Sequence, residues 1–393
     1  MERTPTADLT ADPTAPSERS RRWASTMGGH AAGGIRTAHA DSRAVVGVGE
    51  PGPALARDAR EEAEESLLAP GATRARGAGQ RALAEEPDAH RTCFERDRDR
   101  ILHSAAFRRL AGKTQVFIFP ADHQRTRLTH ALEVAQVATG IARSCRLNVT
   151  LTEAIALGHD CGHGPGGHTS EDALSIFLDG GFDHAVWGAD VSLSALNLCV
   201  ETLDGIRNHS WSRPAPQTPE GEVVSWADRI AYVCHDWEDA VSAGIVTPSM
   251  LPPIVRALCG EERSTQLGTF IRGVSDTILA TGRVGLDDQL AEALAAFRRG
   301  NYEHVYLRPA SIAQGGAVVA VLRALVSHFA DHPNRIPDVR AIGGLASGTD
   351  DAIAASVAYV AGMTDRFAMG LAVTELGWDP ERLPRGVEQL NGR

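Results

Sequence analysis

Three observations predict an all-α fold for this chain of 393 residues. Apolar residues recur three and four apart through long stretches, strictly alternating strand patterns are scarce, and short polar or Gly/Pro breaks separate the periodic stretches. No repeat appears at solenoid spacings. The length allows one large or two ordinary domains, and 43% hydrophobic with 23% charged residues is the composition of a soluble globular protein. No run approaches the roughly 18 to 20 apolar residues of a membrane span, and the N-terminus lacks the apolar stretch of a secretory signal. The expectation is therefore a cytoplasmic protein without a membrane partner. With 39 basic against 50 acidic residues, the net charge of -11 argues against a surface built to hold nucleic acid. The six cysteines contain no CxxC pair, so neither a thiolate zinc site nor a disulfide framework is indicated. They are expected to be buried small apolar residues.

Taken in order, residues 1–85 are rich in Ala, Arg, Gly, Pro, Thr and Glu without a sustained apolar period. Such a segment cannot repay its ordering entropy and reads as a disordered arm, with a short helix around "RDAREEAEESLLA". The pattern changes at "FERDRDRILHSAAFRRLAGKTQVF", where helical spacing begins. A Pro-containing loop, "FIFPADHQRT", then leads to the helix of "THALEVAQVATGIARSCRL". "RPAPQTPEGEV" reads as a turn opening the helix of "VVSWADRIAYVCHDWEDAVSA". Two further helices are predicted at "DDQLAEALAAFRRGNYEHVYL" and "GGAVVAVLRALVSHFADH".

The stretch "ALGHDCGHGPGGH", residues 156–168, sets three histidines and an aspartate among five glycines and a proline. Upstream, His130 falls within roughly 40° of Val134, Val137 and Ile141 on a helical wheel, so it points inward. A lone inward histidine is ordinarily a satisfied core residue; here it has company. His159 and Asp160 close an apolar helical run and precede Gly162, and adjacent side chains converge on one ion most easily where a helix ends. The second His-Asp pair, His235-Asp236, lies inside an uninterrupted helix, where the roughly 100° divergence opposes joint ligation. Asp228, Tyr232, His235 and Asp236 fall at about 0°, 40°, -20° and 80° and share one wall, which is either a solvated face or a lining. Leaving a carboxylate buried without a partner costs several kcal/mol, a penalty that a divalent cation removes. A two-His, two-Asp set without thiolate fits Mn²⁺, Fe²⁺, Ni²⁺, Zn²⁺ or Mg²⁺.

The segments "RTRLTHALEVAQVATGIA", "ALGHDCGHGPGGHTSEDAL" and "EVVSWADRIAYVCHDWEDA" resemble the successive motifs of HD-domain deoxynucleoside triphosphate triphosphohydrolases, the bacterial dGTPase-like enzymes. The preceding "RDRDRILHSAAFRRLAGKTQVF" is similar to that family's N-terminal motif, so the resemblance runs from about residue 90 to at least 245. It implies an HD-domain helical bundle over residues 86–393 with a helical C-terminal extension from about 250. It also implies that His130, His159, Asp160 and Asp228 hold a metal, Mn²⁺ or Mg²⁺ foremost, and that His168 and Glu171 form a catalytic pair with His163 near the α-phosphate. If a helix resumes after the glycines, His168 and Glu171 stand at i and i+3, where a carboxylate orients an imidazole. By the same resemblance Tyr232 packs on a deoxyribose, Asp236 accepts its 3'-hydroxyl, Arg127 and Arg229 meet phosphate, and Gln115 reads sugar or base. The implied reaction is hydrolysis of a deoxynucleoside triphosphate at the α-phosphorus to deoxynucleoside and triphosphate, in a homo-oligomer open to an activating nucleotide. One departure stands out: Ala185 follows His184 where the family has Asn, and the link onward to "ALNLCVETLDGIRNHSW" is short. Two other readings are another HD phosphohydrolase reaction, on a nucleoside monophosphate, cyclic nucleotide or alarmone, and a non-catalytic regulator that binds nucleotides or single-stranded nucleic acid. Lys113 is the only lysine in the chain and reads equally as surface charge or as a site residue.

Overall fold

The computed structural model describes residues 15–25, 28–46, 55–341 and 343–387. The chain divides into residues 1–54 and 55–393. Among the described residues the first unit holds one helix, Glu18–Ser25, and a two-strand antiparallel hairpin pairing His30–Ala32 with Ile35–Thr37. None of these residues is buried.

The second unit is helical, as the spacing predicts. Its centre is three mutually packed helices, Arg127–Ser144, Val149–Gly158 and Pro219–Ser242, with Cys93–His103 laid against the second. Three of the four start on a side-chain cap that the sequence offers. Asn148 Oδ1 accepts from Leu151 N at 3.1 Å, Thr218 Oγ1 accepts from Gly221 N at 3.1 Å ahead of Pro219, and Thr92 and Glu95 form a reciprocal capping box. Val134, Val137 and Ile141 interlock with Leu151, Ile155, Ile230 and Val233 in the larger core. Full burial of each such side chain stabilises by roughly 1.5–3 kcal/mol.

A second core gathers Leu174 and Phe182 with the helices Pro309–Asp331, Asp350–Ala361 and Asp365–Leu376. Here the expectation that no run approaches the apolar length of a membrane span is corrected. Pro309–Asp331 is long and apolar enough to cross a bilayer by length and composition. It carries Arg323 and His328, and its Val318, Val321, Leu322, Leu325 and Phe329 are buried in this core.

The expected boundary at residue 85 is also corrected. Arg57–Leu67 forms the short helix, and Ala72 and Ala75 lie in the larger core. Buried Glu220 accepts from Thr73 N at 3.0 Å, Thr73 Oγ1 at 2.7 Å and Asn148 N at 2.9 Å, tying this segment to the start of the Pro219 helix. Long-range contacts of this kind repay the ordering of a segment whose local composition gives no reason to fold. Residues 1–14, 26–27 and 47–54 of the expected arm lie outside the described residues. Five of the cysteines are buried and Cys93 is partly so.

Candidate metal and phosphate site

The Val149 helix ends at Gly158, with His159 as its C-cap. Releasing the helix there turns His159 and Asp160 toward the same space as His130, which is 2% exposed on the Arg127 helix, and Asp228 on the Pro219 helix. His130 Nε2 lies 3.0 Å from Asp228 Oδ1 and 3.9 Å from Asp160 Oδ2. His159 Nε2 lies 3.5 Å from Asp160 Oδ2 and 3.7 Å from Asp228 Oδ1. Ligands of one ion bonded at about 2.0–2.2 Å stand at such separations. His159 Nδ1 donates to the Ala156 carbonyl at 2.6 Å, which turns the Nε2 lone pair toward the carboxylates; Nε2 is buried with no hydrogen-bond partner among the described residues. An orphaned lone pair facing two carboxylates fits a cation, and the described residues contain His/Asp groups able to hold one.

Two glycines show why the next segment is glycine-rich. A Cβ on Gly162 would stand 1.9 Å from the His184 carbonyl oxygen. Gly167, at φ +64°, packs against Arg127, where a Cβ would stand 2.6 Å from Nη2. The helix resumes at Thr169–Leu174 with His168 as N-cap, and His168 Nδ1 lies 3.5 Å from Glu171 Oε2. His163 is fully buried with Nε2 3.1 Å from Asp160 Oδ1, and its ring stacks on His184 at 3.8 Å between centroids. Burial pushes the His163 imidazole well below its usual pKa, aided by the nearby Arg127 charge. Arg127 is itself buried; Nη1 donates to Asp160 Oδ2 at 2.6 Å, while Nε and Nη2 have no partner among the described residues.

A cavity of roughly 490 Å³ opens beside this cluster. His130, Asp160, His168 and Asp228 reach it, together with the sequence-predicted Gln115, Arg127, Arg229, Tyr232 and Asp236. Gln115 Oε1 is buried without a partner among the described residues. Arg229 lies over the Trp211 ring, its guanidinium carbon 3.5 Å from the centroid. His235 does not share the wall with Asp228: it turns to Glu133, with Nδ1 3.1 Å from Oε2. Lys113 is buried, not a surface charge.

Sequence reasoning missed several lining residues. His184 Nδ1 donates to Glu171 Oε1 at 2.6 Å, and its Nε2 lies 3.2 Å from His209 Nε2. His209 Nδ1 donates to the Ile206 carbonyl at 2.8 Å, and burial lowers its pKa to about 3. Burial opposes a charge on His184, but the Glu171 hydrogen bond raises its pKa overall. Glu171 is held well below the usual carboxylate range: burial raises it, and the bonds from His168 and His184 outweigh that. Opposite, Arg298 Nε donates to Tyr232 Oη at 2.9 Å and Tyr306 Oη donates to Asp236. Burial raises the Asp236 carboxyl to about 7. The i, i+4, i+8 spacing of Arg298, Tyr302 and Tyr306 inside a predicted helix was the available signal. His209 offered none, since it follows an unremarkable helix end.

Separate helices thus bring histidines and carboxylates together beneath one cavity. Residues 127–233 match the HD domain and residues 284–373 match the phosphohydrolase-associated domain. Three relatives share the name deoxyguanosinetriphosphate triphosphohydrolase-like protein. That from Caldanaerobacter subterraneus subsp. tengcongensis is 42% identical, over 80% of this chain and 93% of its own length. The relative from Clostridium perfringens is 40% identical, over 73% and 87%. The one from Syntrophus aciditrophicus is 34% identical, over 80% and 95%. The chain therefore belongs to the deoxyguanosinetriphosphate triphosphohydrolase-like family of HD-domain phosphohydrolases.

Proposed function

We propose that this protein hydrolyses deoxynucleoside triphosphates at the α-phosphorus, consuming one water and releasing deoxynucleoside and intact triphosphate. The observation that carries the reading is the meeting of His130 Nε2, His159 Nε2, Asp160 Oδ2 and Asp228 Oδ1, with partner distances of 3.0–3.9 Å, under one cavity. These four residues would hold a divalent cation, Mn²⁺ or Mg²⁺ foremost. Bound there, the cation supplies Lewis acidity toward phosphate and lowers the pKa of a water.

The chain's own groups do the rest. Arg127 would meet phosphate with a buried guanidinium whose Nε and Nη2 have no partner among the described residues, and Arg229 adds a second charge held against Trp211. His168, oriented by Glu171, moves a proton, a contribution typically worth about 10² to 10⁴ in rate. His163 and His184 stand beside it as further imidazoles at the phosphate end. At the other end Tyr232 offers an aromatic face to the sugar, Asp236 accepts its 3'-hydroxyl, and Gln115 presents an unsatisfied acceptor to sugar or base. The same reading carries a cytoplasmic homo-oligomer open to an activating nucleotide.

Incubation with Mn²⁺ and each of the four dNTPs, followed by phosphate chromatography, tests the reaction. Tripolyphosphate is expected; pyrophosphate or orthophosphate alone would move the cleaved bond elsewhere and favour another HD chemistry. Sedimentation at several concentrations, with and without added nucleotide, tests the assembly.

A further inference from the structure

We propose that Asp365 is a positioning residue for the glycine loop that carries His163 and His168, with Lys113 as its companion strut. The inference rests on the proposed role of those histidines and concerns a residue of the second core, about 200 positions further along the chain.

Asp365 opens the Asp365–Leu376 helix and is 2% exposed. Its carboxylate spends none of its accepting capacity on a distant surface group. Oδ1 accepts from Gly166 N at 2.9 Å, and Oδ2 accepts from Thr114 N at 2.9 Å and Thr114 Oγ1 at 2.6 Å. Gly166 lies between His163 and His168, and Thr114 precedes the cavity residue Gln115. Alongside, the buried Lys113 Nζ donates to the His163 carbonyl and, at 3.0 Å, to the Ala361 carbonyl. Ser170 Oγ closes the loop from within, accepting from Gly164 N at 3.0 Å and donating to the Gly167 carbonyl at 2.7 Å. Peptide groups at positions 163, 164, 166 and 167 are thus all held by side chains, two of them from outside the loop.

Fixing a helix start does not require a buried carboxylate; a hydroxyl or an uncharged cap suffices. Taking the charge out of water is costly unless donors surround it, and here three do. Burial shifts both partners toward neutrality, lowering Lys113 to about 8 and raising Asp365, so the arrangement holds against an electrostatic cost. What that cost secures is geometry at residues 163–168, where a displacement of about 1 Å can cost on the order of 10² in rate.

Asp365→Asn isolates the role. The amide has one accepting oxygen, so either Gly166 or Thr114 must face its NH₂ group, donor against donor. Expected are a fall in kcat of about 10- to 100-fold per folded molecule, an unchanged KM, Mn²⁺ content equal to the parent, and faster hydrogen exchange in the peptide spanning residues 162–168. Thr114→Val, which removes only the hydrogen bond donated by the hydroxyl, should show the same split with a smaller loss, and Thr114→Ser should restore kcat; this pair serves if Asp365→Asn does not fold. Unchanged exchange at 162–168 overturns the proposal. So does faster exchange with kcat per folded molecule intact, which would make the contact merely structural. A parent protein that releases no tripolyphosphate would instead sink the proposed reaction, leaving the exchange measurement to judge the hold on the loop.

Discussion

Asp236 combines two demands that pull apart. Its carboxyl must be dry to meet a sugar hydroxyl, and dryness raises it from 3.8 to about 7, with the Tyr306 hydrogen bond pulling partly the other way. Well below pH 4, the folded and unfolded forms both hold the proton and no penalty arises. As the pH climbs through 4 to 7, the unfolded chain releases its proton first and folding loses stability, on the order of 4 kcal/mol in all. Asp236→Asn carries no such penalty. In metal-free protein its melting temperature should therefore rise relative to the parent between pH 4 and pH 8, and a pH-independent gap would contradict the buried titration. Asp160 makes a sharper demand, since it faces Arg127, His130, His159 and His163 together. Asp160→Ala should abolish bound metal and turnover, measured by elemental analysis beside the assay, whereas Glu171→Ala should cost turnover and keep the metal. His130, His159, Asp160 and Asp228 were legible because helical phase and a helix end dictate their directions. His235 was not: its phase matched Asp228, but Glu133 on the neighbouring helix decides where its ring turns.

At the scale of elements, helices were read best where caps and apolar spacing agree, as in Arg127–Ser144 and Pro219–Ser242. The predicted 287–307 helix shows what spacing alone misses: it runs Asp288–Asn301 and then widens into a π turn over Tyr302–Tyr306. That turn carries Tyr302 and Tyr306 to the cavity. The glycine loop is the opposite case, with composition announcing the backbone while long-range contacts set its shape. Gly162 has no room for a methyl beside the His184 carbonyl and the Gly188 backbone. Gly162→Ala should cost more than about 2 kcal/mol in chemical denaturation. A neutral result would mean that the segment around His184 can withdraw.

Across the whole molecule, composition misplaced the start of the folded part because Thr73, Ala72 and Ala75 gain their partners from residues far along the chain. A chain beginning at residue 55 should keep its turnover and melting temperature. One beginning at residue 86 strips the two Thr73 donors from Glu220, leaving only Asn148 N, and uncovers the larger core, and it should melt several degrees lower or fail to fold. The fold class was open to sequence reasoning since it rests on local periodicity. The pairing of two cores around one loop was not, because no local pattern encodes which distant helix a loop will touch.

That pairing divides the chemistry between two bodies of unequal size. The four candidate ligands sit around the larger core, while the loop bearing His163 and His168 is fastened to helices of the smaller. Less buried hydrocarbon makes the smaller body the first to yield on warming. A heated sample should thus become catalytically silent while still retaining its ion, so that inactivation precedes demetallation in a temperature ramp.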